Sequence, residues 1–340
     1  MQTLARFIAE CRSRAEVTEA SAALVPLQRR LMDAGVGGHQ TGLLISDLVD
    51  ALTRQLIMLA EEELGPPPGR YAWLACGSQG RGEQFAHTDQ DNALIYADGL
   101  PEGADAWFAE LAERVTQGLA DCGIEHCPGG VGPDHVDWRG SESAWRTAIQ
   151  QVIRVPETRR IMLASHYFDL RTVHGDPSLL GVIRGDALRE AMGNRLFIAR
   201  LKENALRTRA GVGHLRRWRT PLLGARRGTL HLKQQGLLPV QQLAFVHAME
   251  AGVDALNTTH RLRLAADAGI LPPKRARDLE RVRNTVLELR NRAILEHLDS
   301  GAAPTNRIRL SDLSRLERAH LKAALTLVRD LQNVLHRQLA

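Results

Sequence analysis

Cys76-Gly77-Ser78-Gln79-Gly80-Arg81-Gly82-Glu83-Gln84, followed by Thr88-Asp89-Gln90-Asp91-Asn92-Ala93-Leu94, is the stretch that decides how this chain reads. Glycine at 77 leaves out a Cβ where the backbone must turn tightly. Ser78 adds a hydroxyl at the start of a short helix, so N–H groups can approach a phosphate closely. Downstream, Asp89 and Asp91 alternate along an extended run, which puts both carboxylates on one face, ~7 Å apart. Paired hard oxygen ligands beside phosphate donors are how a protein grips Mg²⁺ and a nucleoside triphosphate. Taken singly, Gly-Ser-x-Gly is as readily a plain tight turn, and Asp-x-Asp a solvated edge strand. The order strand, turn, short helix, two aspartates, strand points to nucleotidyl transfer. The chain has no GxxxxGK[ST] and no GxGxxG opening a helix, so the P-loop and dinucleotide readings fail.

Working outward, Tyr71 to Cys76 reads as a buried strand, and Asn92 to Ala97 continues the strand of the aspartates. Helical periodicity covers 2–33 and 42–64, and Gly65-Pro66-Pro67-Pro68-Gly69 stops the second. An amphipathic helix is expected over 102–121, a short strand before Cys127, helices over 141–153 and 156–165, and a strand over 166–173. That last strand would place Asp169 and Arg171 on one face. Beyond Gly185 the pattern changes to long arginine-rich helices over 187–209, 237–251, 254–268, 274–298 and 311–338, with 211–235 irregular. The expected class is α+β: a small mixed sheet with helices, then an all-α bundle. The expected divisions are N-terminal helices 1–65, a catalytic domain 66–185 and a helical domain 186–340.

At 340 residues and 44% hydrophobic content the chain can bury two cores. No apolar run approaches the ~20 residues of a membrane span, and the N-terminus carries Arg6 and Glu10 in place of a signal-peptide core. Cys11, Cys76, Cys122 and Cys127 form no CxxC pair and read as reduced thiols, which predicts a cytoplasmic protein. Cys122, His126 and Cys127 lack an evident fourth ligand for zinc. The net charge of +5 is unevenly spread: residues 1–185 carry −9 and residues 186–340 carry +14. The basic half either attracts phosphates, an acidic protein or nucleic acid, or neutralises the acidic half. Arg216, Arg217, Arg219, Arg226 and Arg227 form a basic loop with only Trp218 interleaved, so RNA stacking is poorly supported.

The motif resembles the signature of DNA polymerase beta-like nucleotidyltransferases. It is most similar to the family often fused to CBS and cyclic-nucleotide-binding domains, itself related to the N-terminal region of PII uridylyltransferase. The likeness continues through Cys127-Pro128-Gly129-Gly130-Val131, Trp138, Trp145, Phe168-Asp169-Leu170-Arg171, Leu232-Lys233, Gly236-Leu237-Leu238-Pro239 and Asn257-Thr258. CBS modules have no room here, no His-Asp doublet of an HD phosphohydrolase occurs, and Gly132-Pro133-Asp134-His135 departs from the family's usual run. The resemblance implies a polymerase-beta-like catalytic domain and a helical substrate-binding domain in a bacterial signalling enzyme. Such an enzyme is expected to use an NTP co-substrate with Mg²⁺ (or Mn²⁺). Asp89 and Asp91 are the expected metal ligands and catalytic carboxylates, with Asp169 as a third carboxylate or, equally, as the partner in a structural bond. Gly77, Ser78 and Arg81 are expected to hold phosphate, with Glu83 pinning Arg81. Lys233 is either a substrate contact or a surface lysine. The acceptor is expected to be a hydroxyl of a protein or small molecule, with no membrane or nucleic-acid role. The long helices near the C-terminus carry apolar stripes that either close an intramolecular bundle or pair two copies. The competing class is a catalytically silent nucleotide sensor.

Overall fold

A computed structural model of the chain describes residues 2–339 apart from His87, His214, Leu215, Leu222, Ala225 and Ala303. Part of the predicted irregular segment 211–235 therefore lies outside the described residues. The chain forms two compact units: residues 1–153 with 163–187, and residues 154–162 with 188–340.

The first unit opens with helices α1 (Gln2–Glu10), α2 (Arg14–Ser21), α3 (Leu24–Asp33) and α4 (Gly38–Leu64). The single helical run expected over 2–33 is thus three helices. Ser13, in extended backbone, breaks the first turn and caps α2 by accepting from the Glu16 N–H at 3.3 Å. Then follow β1 (Tyr71–Ala75), the single turn α5 (Gly77–Gly80), β2 (Asn92–Tyr96), α6 (Ala104–Asp121), β3 (Arg139–Ser141), α7 (Glu142–Arg154), α8 (Thr158–Phe168) and β4 (Arg171–Gly175). The sheet order is β3-β2-β1-β4. β1 lies antiparallel to both β2 and β4, while β2 and β3 run parallel, so the sheet is mixed.

β1 is buried along its whole length, as its unbroken apolar run requires of a central strand. Leu48, Leu52 and Leu56 of α4 and Phe108, Leu111 and Val115 of α6 join Trp73 and Leu94 in one core. Each such side chain contributes roughly 1.5–3 kcal/mol on burial. A Cβ on Gly118 would lie 2.7 Å from Leu56 Cδ2, so glycine there lets α6 lie close on α4. The strand expected over 166–173 begins later than predicted. Ile161, Ala164 and Phe168 are buried at helical spacing, Tyr167 stacks on Trp138, and α8 runs on to Phe168. Asp169 therefore sits in the turn ahead of β4.

The second unit contains α10 (Arg195–Arg207), β5 (Thr229–His231), α11 (Leu238–Ala251), α12 (Thr258–Asp267), α13 (Pro273–Asp299), β6 (Arg307–Arg309) and α14 (Arg315–Arg337); α8 and α9 (Ser178–Gly193) span the division. The helix expected over 187–209 is split because Asn194 leaves helical backbone and caps α10, accepting from the Phe197 N–H at 3.0 Å. The predicted all-α bundle is instead largely helical: β5 and β6 pair antiparallel, and a π-helical turn covers Lys233–Leu237. Strands of three residues are too short to show an alternation in sequence. α14 begins with a reciprocal capping box between Ser314 and Glu317 and packs Leu321, Leu325 and Val328 inward.

Candidate active site

Two backbone facts build the site. The Cys76 N–H donates to the Asp91 carbonyl at 2.8 Å, which carries the β1–β2 pairing one residue past the end of β1. Gly77 then turns with φ +55°, and α5 begins. A Cβ at Gly77 would lie 2.1 Å from Asp91 Oδ2. The Asp91 carboxylate therefore fills the space that any other residue at 77 would need.

Gln90 fixes which way its neighbours point. It is buried, with its side-chain amide donating to the carbonyls of Thr116 (2.9 Å) and Ile124 (3.0 Å), and its backbone N–H donating to the Glu125 carbonyl. Alternation then directs Asp89 and Asp91 to the opposite side, and both are partly exposed. Within α5, Ser78 is the one residue not buried. The N–H groups of Gly77, Ser78 and Gln79 open the helical turn, where no acceptor exists within the helix itself.

Two ion-paired arginines anchor this turn from behind. Arg171 grips Asp50 of α4 with both arms, at 2.7 and 3.0 Å, and donates to the Gln79 carbonyl at 3.1 Å. The Gln79 amide itself donates to Asp50 at 3.0 Å. Arg81 bridges Asp169 at 2.5 Å and Glu83 at 3.1 Å, with 11% of its side chain exposed. Burial opposes the Arg81 charge, but the two carboxylates outweigh it and hold the guanidinium protonated. Gly80 lies so close to the Asp169 carbonyl that a Cβ would come within 2.3 Å of it.

Two cysteines complete the surroundings. The Cys76 thiol is pushed up by burial first and then by the charges of Asp91 and Asp169, so both carboxylates lie within its reach. Cys127 is pushed up to about 11 by burial, then by the charge of Asp91 and a hydrogen bond to it.

The sequence-predicted residues thus fall into two groups. Gly77, Ser78, Arg81, Asp91 and Asp169 gather around the β1–α5 turn of the first unit, and Asp89 lies in the same unit two residues before Asp91. Lys233 lies in the second unit, exposed, at the head of the π-helical turn. Asn257 caps α12, and Arg261 is buried, with its Nε donating to the Ala255 carbonyl and its guanidinium 5.1 Å from the Phe245 ring centre. Cys122 hydrogen-bonds toward Ser21 and Thr18, whereas Cys127 turns to Asp91, so the two thiols serve different places. Sequence reasoning did not identify Asp50 or Gln79. The only trace of Asp50 is a carboxylate placed among the buried positions of α4.

The donor types suit a hard divalent cation: the Asp91 carboxylate lies beside the first turn of α5, and alternation puts Asp89 on the same side of the chain. Among the described residues no three His, Cys, Asp or Glu side chains form a ready metal cage. No helix among them is long and apolar enough to cross a membrane.

Residues 22–159 match the family model described as "Putative nucleotidyltransferase DUF294", and residues 195–339 match "Putative nucleotidyltransferase substrate binding domain". The Gly-Ser turn and both aspartates fall inside the first match. No curated protein matches the chain.

Proposed function

Because the chain belongs to the DUF294 nucleotidyltransferase family, we propose that it transfers an NMP from an NTP to a hydroxyl of a protein or small-molecule acceptor, in the manner of the PII uridylyltransferases and in a signalling role. The observation that supports this reading is the close approach of the Asp91 carboxylate to Gly77, which puts the proposed metal ligand beside the proposed phosphate-receiving turn.

In this reading the acceptor oxygen forms a bond to the α-phosphorus, the bond to the bridging oxygen breaks, pyrophosphate leaves, and the hydroxyl proton passes to solvent. Asp89 and Asp91 would hold Mg²⁺ or Mn²⁺, which when bound neutralises triphosphate charge and activates the attacking oxygen. Gly77 keeps the backbone low enough for the N–H groups of the first α5 turn to face phosphate oxygens, and Ser78 adds its hydroxyl. Asp169, the third carboxylate, acts from behind this surface: with Glu83 it fixes Arg81, and with it the end of α5. Arg171 and Asp50 fix the other side of the same turn. Preorganised donors of this kind lower a barrier because they need no rearrangement when charge develops. Lys233 is assigned to the substrate side, in the second unit.

The test is labelling of acceptor in lysate from α-³²P NTPs with Mg²⁺ or Mn²⁺. Asp89→Asn and Asp91→Asn are expected to abolish labelling while the chain stays folded, and Lys233→Ala to reduce it. Full labelling by both aspartate variants would refute the assignment. Metal-dependent NTP binding without pyrophosphate release for any acceptor would favour a sensor instead.

A further inference from the structure

Four arginines of the second unit, Arg209, Arg216, Arg219 and Arg329, surround a cavity of about 550 Å³ that Gln332 and His336 help to line. No Asp or Glu is among its described lining residues. This volume lies within the ordinary range for small-molecule sites.

Local structure brings these side chains together. Val212 and Trp218 form an antiparallel bridge, the Gly213 N–H donates to the Arg217 carbonyl at 2.7 Å, and the Arg219 N–H donates to the Gly211 carbonyl at 2.8 Å. The segment is thus a narrow strap that carries Arg216 and Arg219. Its base is held by the Gln235 amide, which donates to the Arg219 carbonyl at 2.8 Å. Arg329 comes from α14 and donates to the Gly213 carbonyl at 2.7 Å. Gln332, also from α14, is buried, with hydrogen bonds to Ala205, Thr208 and Ala210. Arg216 has φ +55°, and among the described residues it is the one non-glycine with positive φ. That conformation costs an L-residue on the order of 1–2 kcal/mol, and such strain collects at ligand sites.

The electrostatics are equally specific. Some bases elsewhere in this unit have acidic partners: Arg263 pairs with Glu280, and Arg292 with Glu317. Arg209, Arg216 and Arg219 form no ion pair with a described carboxylate, and Arg329 pairs only with Asp330. Like charges round one cavity repel until an anion enters, and guanidinium forks match phosphate oxygens two at a time. We propose that this cavity is a second anion site, which takes a small molecule bearing at least two phosphate groups. A nucleic-acid strand is disfavoured, because no Phe, Tyr or Trp is among the described lining residues to stack a base.

The test is calorimetry on the full chain in EDTA, with inorganic pyrophosphate and fructose 1,6-bisphosphate titrated separately. EDTA keeps any metal held by Asp89 and Asp91 out of the measurement, so the outcome stands apart from that assignment. At least one of the two ligands is expected to bind once per chain, more weakly as salt rises, and at least tenfold more weakly in the Arg209→Glu, Arg219→Glu double variant. Arg216→Gly provides a second reading that removes strain as well as charge: it is expected to weaken binding while leaving the thermal midpoint equal or higher. No binding of either ligand, or unchanged binding in both variants, would overturn the proposal. So would an oligouridylate that binds more tightly than either ligand and is lost in the same variants.

Discussion

Arginine plays opposite parts in the two units. Around the turn at Gly77, Arg81 and Arg171 are enclosed by carboxylates: Asp169 and Glu83 on one, Asp50 on the other. Their charge is consumed in holding a backbone shape. Around the cavity of the second unit, Arg209, Arg216 and Arg219 form no ion pair with a carboxylate among the described residues, and the described lining includes no Asp or Glu. The difference teaches that a basic residue in a phosphate-handling protein is a ligand contact only where its charge remains available. In the proposed first site the phosphate donors would instead be the backbone and Ser78.

The sharpest way to break this contrast is to remove one arginine from each group and compare stability. Arg81→Ala leaves Asp169 buried without its partner and is expected to cost about 3–5 kcal/mol. Arg219→Ala, exposed and unpaired, is expected to change stability by at most about 0.5 kcal/mol. Denaturant unfolding of both variants measures the difference, and equal losses would erase the distinction. Gly77→Ala is the next largest effect. It forces a Cβ into the left-handed region, at roughly 1–2 kcal/mol, and against Asp91 Oδ2. Labelling activity should fall at least tenfold, far beyond what the modest loss of stability accounts for.

A smaller effect concerns Cys127, whose folded pKa of about 11 exceeds the ordinary 9.0. The folded state holds this proton more tightly than the unfolded chain does. The thiol therefore contributes stability that is complete below pH 9.0 and is lost as pH rises toward about 11. Unfolding measured across that window should show a decline in the wild type that Cys127→Ser flattens. Smallest of all, Ser314→Ala removes the α14 cap and should cost ~1 kcal/mol, with no effect on labelling.

Much of this was legible in the sequence, for identifiable reasons. The tight turn at Gly77-Ser78 was readable because a glycine at a turn is a local property, whereas β2 begins at Asn92, so the expected strand does not reach back to Asp89 and Asp91. The buried runs at Tyr71–Ala75 and Asn92–Tyr96 were readable because a strand covered on both faces cannot alternate. The α+β class followed from the change to long helices beyond Gly185. What sequence missed depends on long-range packing. Asp50 meets Arg171 across 121 positions, and nothing local in either residue announces the other. The true start of β4 was masked by Tyr167-Phe168, residues with good strand propensity; in the helix Tyr167 stacks on Trp138 and Phe168 is buried. β5 and β6 stabilise each other from positions 78 residues apart and are too short to leave a periodic trace. The basic loop was visible as composition, but its convergence on a cavity with Arg209 and Arg329 required the fold.

The central claim is that Asp89 and Asp91 form one metal–triphosphate site with the Gly77 turn. Its most direct test is Mn²⁺ binding followed by electron spin resonance, with and without NTP, in the wild type, Asp91→Asn and Gly77→Ala. The account predicts that NTP strengthens Mn²⁺ binding at least tenfold in the wild type, and that both substitutions abolish this gain. A gain that survives Asp91→Asn, or that is unaffected when Gly77 acquires a Cβ, would contradict it.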